Sequence, residues 1–195
     1  MHRMTHKTLY LTIDDSPTSG TEEILAFLKE KEISTVFFCR GDRLEKLPEI
    51  ATKIVKSGHI LGNHAYSHRH FSNLKLKDCF DEIVRTHHII DNIYREASTI
   101  EYPKVFRFPY GDKGDYKYGH HLLPFKEAFL LHRTRFEKIK SELYHTFSRK
   151  FFINKKNEGI HRKIEIQKYL VSMEYVPFHK SKINYNFLRC LVSHY

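Results

Sequence analysis

The 195-residue sequence predicts an α/β fold built on parallel strands, as an open sheet or a barrel. Three observations predict it. β-rich and helix-periodic segments alternate through residues 1–111 with short connections, the order that builds a parallel sheet. Among the β segments, Ser34–Cys39 is β-branched and aromatic, as a buried strand is. Finally, Asp14-Asp15, His64 and Arg107 all fall at predicted strand ends, where parallel folds collect their chemistry.

Taken in order, Thr8–Asp14 reads as the first strand, broken by Ser19-Gly20. Glu22–Lys31 has helical spacing at Ile24, Leu25 and Leu28, with Thr21 as N-cap. Ser34–Cys39 is β-branched and aromatic and reads as a buried strand. Leu47–Lys56 is helical, and Ser57-Gly58 closes it. His59–Asn63 is a short strand, Leu76–Arg95 a long helix and Val105–Phe108 a further strand. Beyond these, apolar residues recur in steps of three and four from Leu122 to Phe147, one long amphipathic helix carrying Lys126, Arg133, Arg135, Lys138 and Lys140. A short helix over Ile164–Met173 and a strand-like Tyr175–Phe178 follow.

Charge divides the chain unevenly. Residues 1–111 hold 16 Lys+Arg against 15 Asp+Glu, a net of +1, and residues 112–195 hold 17 against 8, a net of +9. Basic residues interleaved with an apolar helical stripe are the usual solvated face of a packed helix, so nucleic acid is not the expected partner. The stripe also suits a partner helix or self-association, and the oligomeric state is left open. No stretch approaches the 18 or so apolar residues of a membrane span, so no membrane association is expected. Three cysteines at unrelated spacings suggest neither a disulfide framework nor a Cys-rich zinc site. With no apolar leader after Met1, the expected location is the cytoplasm, or the exterior if the start is incomplete.

The chemistry lies in three short pieces. Asp14-Asp15 ends an apolar run, His64-Ala65-Tyr66-Ser67-His68 follows some fifty residues later, and Arg107-Phe108-Pro109-Tyr110-Gly111 comes third. A catalytic zinc-type site takes three ligands from His, Asp or Glu and keeps one position open. His64 and His68 converge on one ion if their segment turns helically, since i and i+4 share a face. Asp15 supplies the third ligand, leaving Asp14 as the general base, with Arg107 to orient it and hold it ionised. An ion so held activates water and polarises a carbonyl. A backbone N–H near Tyr110 is placed to meet the developing oxyanion. Each piece is weak alone: His2 and His6 repeat the His-x-x-x-His spacing, as fifteen histidines make unsurprising. Their order and their placement at strand ends carry the assignment.

At these residues the chain resembles the polysaccharide deacetylases of carbohydrate esterase family 4. Thr12-Ile13-Asp14-Asp15-Ser16-Pro17 is similar to that family's first motif, T-F-D-D-G-P; Asn63–His68 to its second, H-[S/T]-x-x-H, often found as N-H-T-Y-S-H; and Arg107–Gly111 to its third, R-x-P-Y-G. The resemblance implies a distorted (β/α) barrel and a divalent ion on Asp15, His64 and His68, most readily Zn, with Co, Mn or Ni accepted by the same donors. It also implies Asp14 as base with Arg107 beside it, Pro109 and Tyr110 at the substrate, and hydrolytic removal of an N- or O-acetyl group from a carbohydrate.

Three departures stand out. Ser16 replaces a glycine, Ala65 replaces a bracing Ser or Thr, and the fourth and fifth motifs, the latter with the histidine that protonates the leaving amine, do not occur before Tyr195. His179 and His194 fall in the right part of the chain, but their spacing supports neither as that acid. Residues 112–160 then read as a basic helical insertion after the third motif, in a single deacetylase-like domain over 1–195 whose barrel is incomplete. A positioned general acid is worth roughly 10²–10⁴ in rate. Two expectations follow: a deacetylase impaired by truncation, or a non-catalytic carbohydrate-binding protein that keeps the metal site.

Overall fold

A computed structural model of the chain describes residues 10–99, 101–115, 154 and 157–176. The predicted helix over Leu122–Phe147, most of the 112–160 insertion, and His179 and His194 lie outside the described residues.

Strand β1 (Thr12–Ser16), helix α1 (Thr21–Glu30), strand β2 (Val36–Cys39), helices α2 (Gly41–Lys46) and α3 (Pro48–Lys56), strand β3 (Ile60–Asn63) and helix α4 (Leu76–Glu96) follow in order. β1 pairs parallel with β2, and β2 parallel with β3. Parallel bridges then join Asn63 to Phe106 and Val105 to Val176. Each added strand therefore lies beside the previous one, without the reversal that marks a doubly wound sheet. This is the winding of a (β/α) barrel wall. Residues 157–172 form a further helix, longer than the Ile164–Met173 predicted.

Alternation along the strands sorts the core onto two faces. Phe37, Cys39 and Leu61 pack outward with Leu25, Leu28, Ile54, Ile90 and Tyr94 from the helices. Val36, Phe38 and Ile60 pack inward with Val105. Because both faces are covered, β2 is buried at every position, which is why it reads as an unbroken apolar run. Gly62 lies on the inner face beneath Phe38: a Cβ there would come within 2.6 Å of the Phe38 ring. Among the described residues, no helix is long and apolar enough to cross a membrane.

Several element boundaries differ from expectation. Thr21 is the first residue of α1, and Gly20 is its N-cap; the Thr21 hydroxyl instead accepts the Thr18 N–H at 2.8 Å. Helix α2 has no counterpart among the predicted elements, because its six residues are too few to show a helical period. Among the described residues, the expected strand Val105–Phe108 bridges only at Val105 and Phe106; Arg107 still donates its N–H to the Asn63 carbonyl, and Phe108 packs on Phe71 and Phe106.

Burial of histidines makes this fold sensitive to acid. His59 Nδ1 faces the Thr35 N–H at 3.4 Å, and burial pushes the ring below its ordinary 6.5. Burial likewise lowers His64 and His87. The unfolded chain thus binds protons that the fold excludes. Stability is therefore complete above about pH 6.5 and declines as the pH falls through the lowered values. Chemical denaturation with a chelator present is expected to show a lower midpoint at pH 5 than at pH 7.5. An unchanged or higher midpoint at pH 5 contradicts this account.

Candidate metal and hydrolytic site

Asp14 and Asp15 reach one site because β1 is irregular. Strict alternation sends adjacent side chains to opposite faces. Here the register shifts between Asp14 and Ser16, and Asp15 takes a left-handed conformation with φ 58°. Aspartate tolerates that region better than most residues. Ser16, where the family motif has glycine, is not left-handed; the left-handed residue is Asp15. Arg43 of α2 donates a hydrogen bond to the Asp15 carbonyl and fastens the bulge.

Asp14 Oδ1 accepts a hydrogen bond from Arg107 Nη1 at 2.6 Å, and the same nitrogen donates to Thr12 Oγ1 at 2.9 Å. The guanidinium lies 4.0 Å from the Phe38 ring centre, stacked on the inner core. Arg107 therefore holds Asp14 in one orientation from a fixed platform.

His64 is buried at the end of β3, and its Nδ1 lies 2.8 Å from the Arg107 carbonyl oxygen. Only an N–H can donate to a carbonyl, so Nδ1 carries the proton and Nε2 keeps a free lone pair. The predicted helical turn between His64 and His68 does not form. Instead Ala65 and His68 are both left-handed, with φ 60° and 57°, and this fold-back brings the rings to 4.9 Å. Non-glycine residues in that region concentrate at functional sites, where the surroundings must over-determine them.

Those surroundings can be named. The Ala65 N–H donates to Asn63 Oδ1 at 2.9 Å. Glu82 of α4 accepts from both the N–H and the hydroxyl of Ser67. The first amides of α2, those of Gly41 and Asp42, donate to the carbonyls of Ala65 and Tyr66, each at 3.0 Å. The loop thereby satisfies N–H groups that a helix start leaves unpaired. A Cβ on Gly41 would sit 2.5 Å from Tyr66 and Thr86, so the contact demands glycine. Bracing absent at Ala65 is thus supplied by Glu82, Asn63 and α2.

The third motif forms a tight turn over Pro109–Gly111 with Tyr110 left-handed at φ 56°. Pro109 is buried and shapes the turn; the exposed surface belongs to Tyr110. The Tyr110 ring lies 4.5 Å from His68 and stacks on His70 at 4.0 Å, nearly parallel. Beneath, the buried Asp112 carboxylate accepts from Ser72 N at 3.1 Å, Ser72 Oγ at 2.6 Å and Gly114 N at 3.0 Å, with His70 Nδ1 at 3.3 Å. Asp112 and Gly114, placed by the sequence reading in the insertion, therefore belong to the folded site. Asp112 and Glu82 carry no motif spacing that could reveal them, whereas Asn63 opens the second motif and only its role as a brace goes unread there.

The donor set fits a divalent ion. Single ligand atoms of Asp15, His64 and His68 all lie within 4.8 Å of one another. Asp15 Oδ1 is buried and has no hydrogen-bond partner among the described residues, although His68 Nε2 lies 3.3 Å away. A buried carboxylate oxygen without a partner is costly, and a cation shared with two neutral imidazoles removes the cost. Two nitrogens and one oxygen suit zinc and its neighbours.

An acid–imidazole–imidazole cluster thus stands beside an Asp–Arg pair at the carboxyl ends of parallel strands. The chain belongs to the polysaccharide deacetylase family, whose model matches residues 2–120. It is 35% identical over 103 residues to a peptidoglycan-N-acetylglucosamine deacetylase of Bacillus cereus, covering 52% of this chain and 36% of that protein. Over 106 residues it is 29% identical to a chitooligosaccharide deacetylase of Bradyrhizobium, covering 54% of this chain and 47% of that one. The structure of the peptidoglycan deacetylase PdaC from Bacillus subtilis aligns with a TM-score of 0.48 at 34% identity, over 52% of this chain and 48% of that one. The chain thus spans from about a third to about a half of these proteins.

Proposed function

We propose that this protein is a metal-dependent hydrolase that removes acetyl groups from an N-acetylated carbohydrate, breaking an amide that is not a peptide bond. The observation that carries this reading is the Asp14–Arg107 pair set directly beside the Asp15, His64 and His68 cluster. Relatives named for peptidoglycan and chitooligosaccharides support a sugar-borne acetamide as the substrate, with an O-acetyl ester open to the same machinery.

A divalent ion held by Asp15, His64 and His68 supplies Lewis acidity to water and to the acyl oxygen. Asp14 takes the water's proton. Arg107 occupies its Oδ1, so the second oxygen is the one turned to the water. The Gly111 and Asp112 amides are used within the turn, on the Phe108 and Pro109 carbonyls at 3.0 Å each. The oxyanion therefore falls to the Tyr110 N–H. The exposed Tyr110 ring offers an apolar face for a pyranose beside the cluster.

The test is acetate release from N-acetylated chitooligosaccharides, with metal quantified on the same protein. Acetate released by metal-loaded protein and abolished by chelation is the expected result. Glycan binding without acetate at full metal occupancy favours the carbohydrate-binding alternative and overturns the enzymatic reading.

A further inference from the structure

Residues 157–176 lie beyond the stretch matched to the family, yet they reach the loops that carry the site. Arg162 donates to the carbonyls of Ser72 at 3.0 Å and Gly114 at 3.2 Å, and Lys163 pairs with Asp115 at 2.9 Å. At the other end, the Val176 N–H donates to the Lys104 carbonyl at 2.9 Å, and Lys104 pairs with Glu174 at 2.9 Å. The segment is fastened on both sides of Tyr175.

Tyr175 is buried, packed against Phe71, Phe106 and Leu170. Its hydroxyl accepts from Asn63 Nδ2 at 2.7 Å and lies 3.2 Å from His87 Nδ1. Every polar atom of Asn63 is engaged. Its amide nitrogen also donates to the Ile83 carbonyl at 2.9 Å, its Oδ1 holds the Ala65 N–H, and its backbone bonds Val105 and Arg107. The Ala65 N–H fixes which end of the side chain is oxygen, so the other end must donate. Asn63 directly precedes His64 and clamps the left-handed residue between the two histidines.

We propose that Tyr175 is a positioning residue for the metal-ligand loop, acting through Asn63. This inference rests on reading Asp15, His64 and His68 as ligands. Without the hydroxyl, one Asn63 N–H loses its buried acceptor, and the amide turns to recover one. The Ala65 N–H then loses its partner, and the His64–His68 fold-back loosens. Groups that orient metal ligands typically affect metal affinity by about 10–100-fold. Tyr175 acts one bond further out, so an effect near the lower end is expected.

The experiment titrates the full chain with Co(II) against a competing chelator, reading the visible absorption of the bound ion and checking folding by circular dichroism. Tyr175→Phe keeps the ring and removes the hydroxyl; it is expected to raise the dissociation constant about tenfold and alter the visible band. Val171→Ala, at an exposed position of the helix that precedes Tyr175, is expected to match the native chain. A Tyr175→Phe constant within twofold of native overturns the proposal, as does a loss seen in Tyr175→Leu but not in Tyr175→Phe, which would assign the effect to packing. If the native chain takes up no stoichiometric Co(II), the ligand reading fails and this proposal fails with it. If the native chain binds Co(II) stoichiometrically and Tyr175→Phe binds it equally well, the ligand reading stands and this proposal alone is lost.

Discussion

Asp14→Asn is expected to lower acetate release by about 10²–10⁴-fold while leaving one equivalent of metal bound, because a positioned general base contributes on that scale. The substitution is nearly isosteric, and the remaining carbonyl oxygen still accepts from Arg107. What is lost is the basicity needed to take a proton from water. Stability should barely change: the Asp14 and Arg107 side chains are 40% and 31% exposed, and such a pair contributes at most about 1 kcal/mol. Arg107 also retains Thr12 and the Phe38 ring. Activity above a tenth of native, measured with metal content on the same sample, removes Asp14 from the role of base.

The second large effect is expected at His64. His64→Gln keeps a donor able to reach the Arg107 carbonyl but loses the imidazole nitrogen turned toward Asp15 and His68. Changes confined to outer-shell partners cost about 10–100-fold in metal affinity, so loss of a ligand should cost more than about 100-fold. Competition against a chelator reads this directly, and Asp14→Asn serves as the control that binds normally. Retention of stoichiometric metal at native affinity by His64→Gln rules out the proposed ligand set. The two variants separate the roles of adjacent groups, since one loses turnover with metal in place and the other loses the metal.

Much of the wall was legible because its physics is local. β2 announces itself as Val-Phe-Phe-Cys because both its faces are covered. α4 was found nearly to its ends because twenty-one residues show many helical periods. α2 escaped because six residues show too few, and its start depends on carbonyls from the loop after β3. The pairing of Arg107 with Asp14 was legible from residue types in motif order, and the structure brings the two together. The convergence of His64 and His68 was also foreseen, but its means was not. The i, i+4 rule supposes a helix, whereas two left-handed residues do the work.

What the sequence by itself determined is the inventory and its order: two carboxylates, two imidazoles and a guanidinium, all but His68 at the end of a predicted strand. Tertiary structure alone decided how they meet. The bulge at Asp15 turns two adjacent carboxylates to one site, and the fold-back at Ala65 is held by Asn63, Glu82 and the start of α2. Asp112 ties the third motif to the second, and Tyr175 reaches back across 112 residues to Asn63. The physical reason is that left-handed backbone and buried polar side chains are unfavourable on their own. They persist only where partners distant in sequence satisfy them, and no local pattern records those partners.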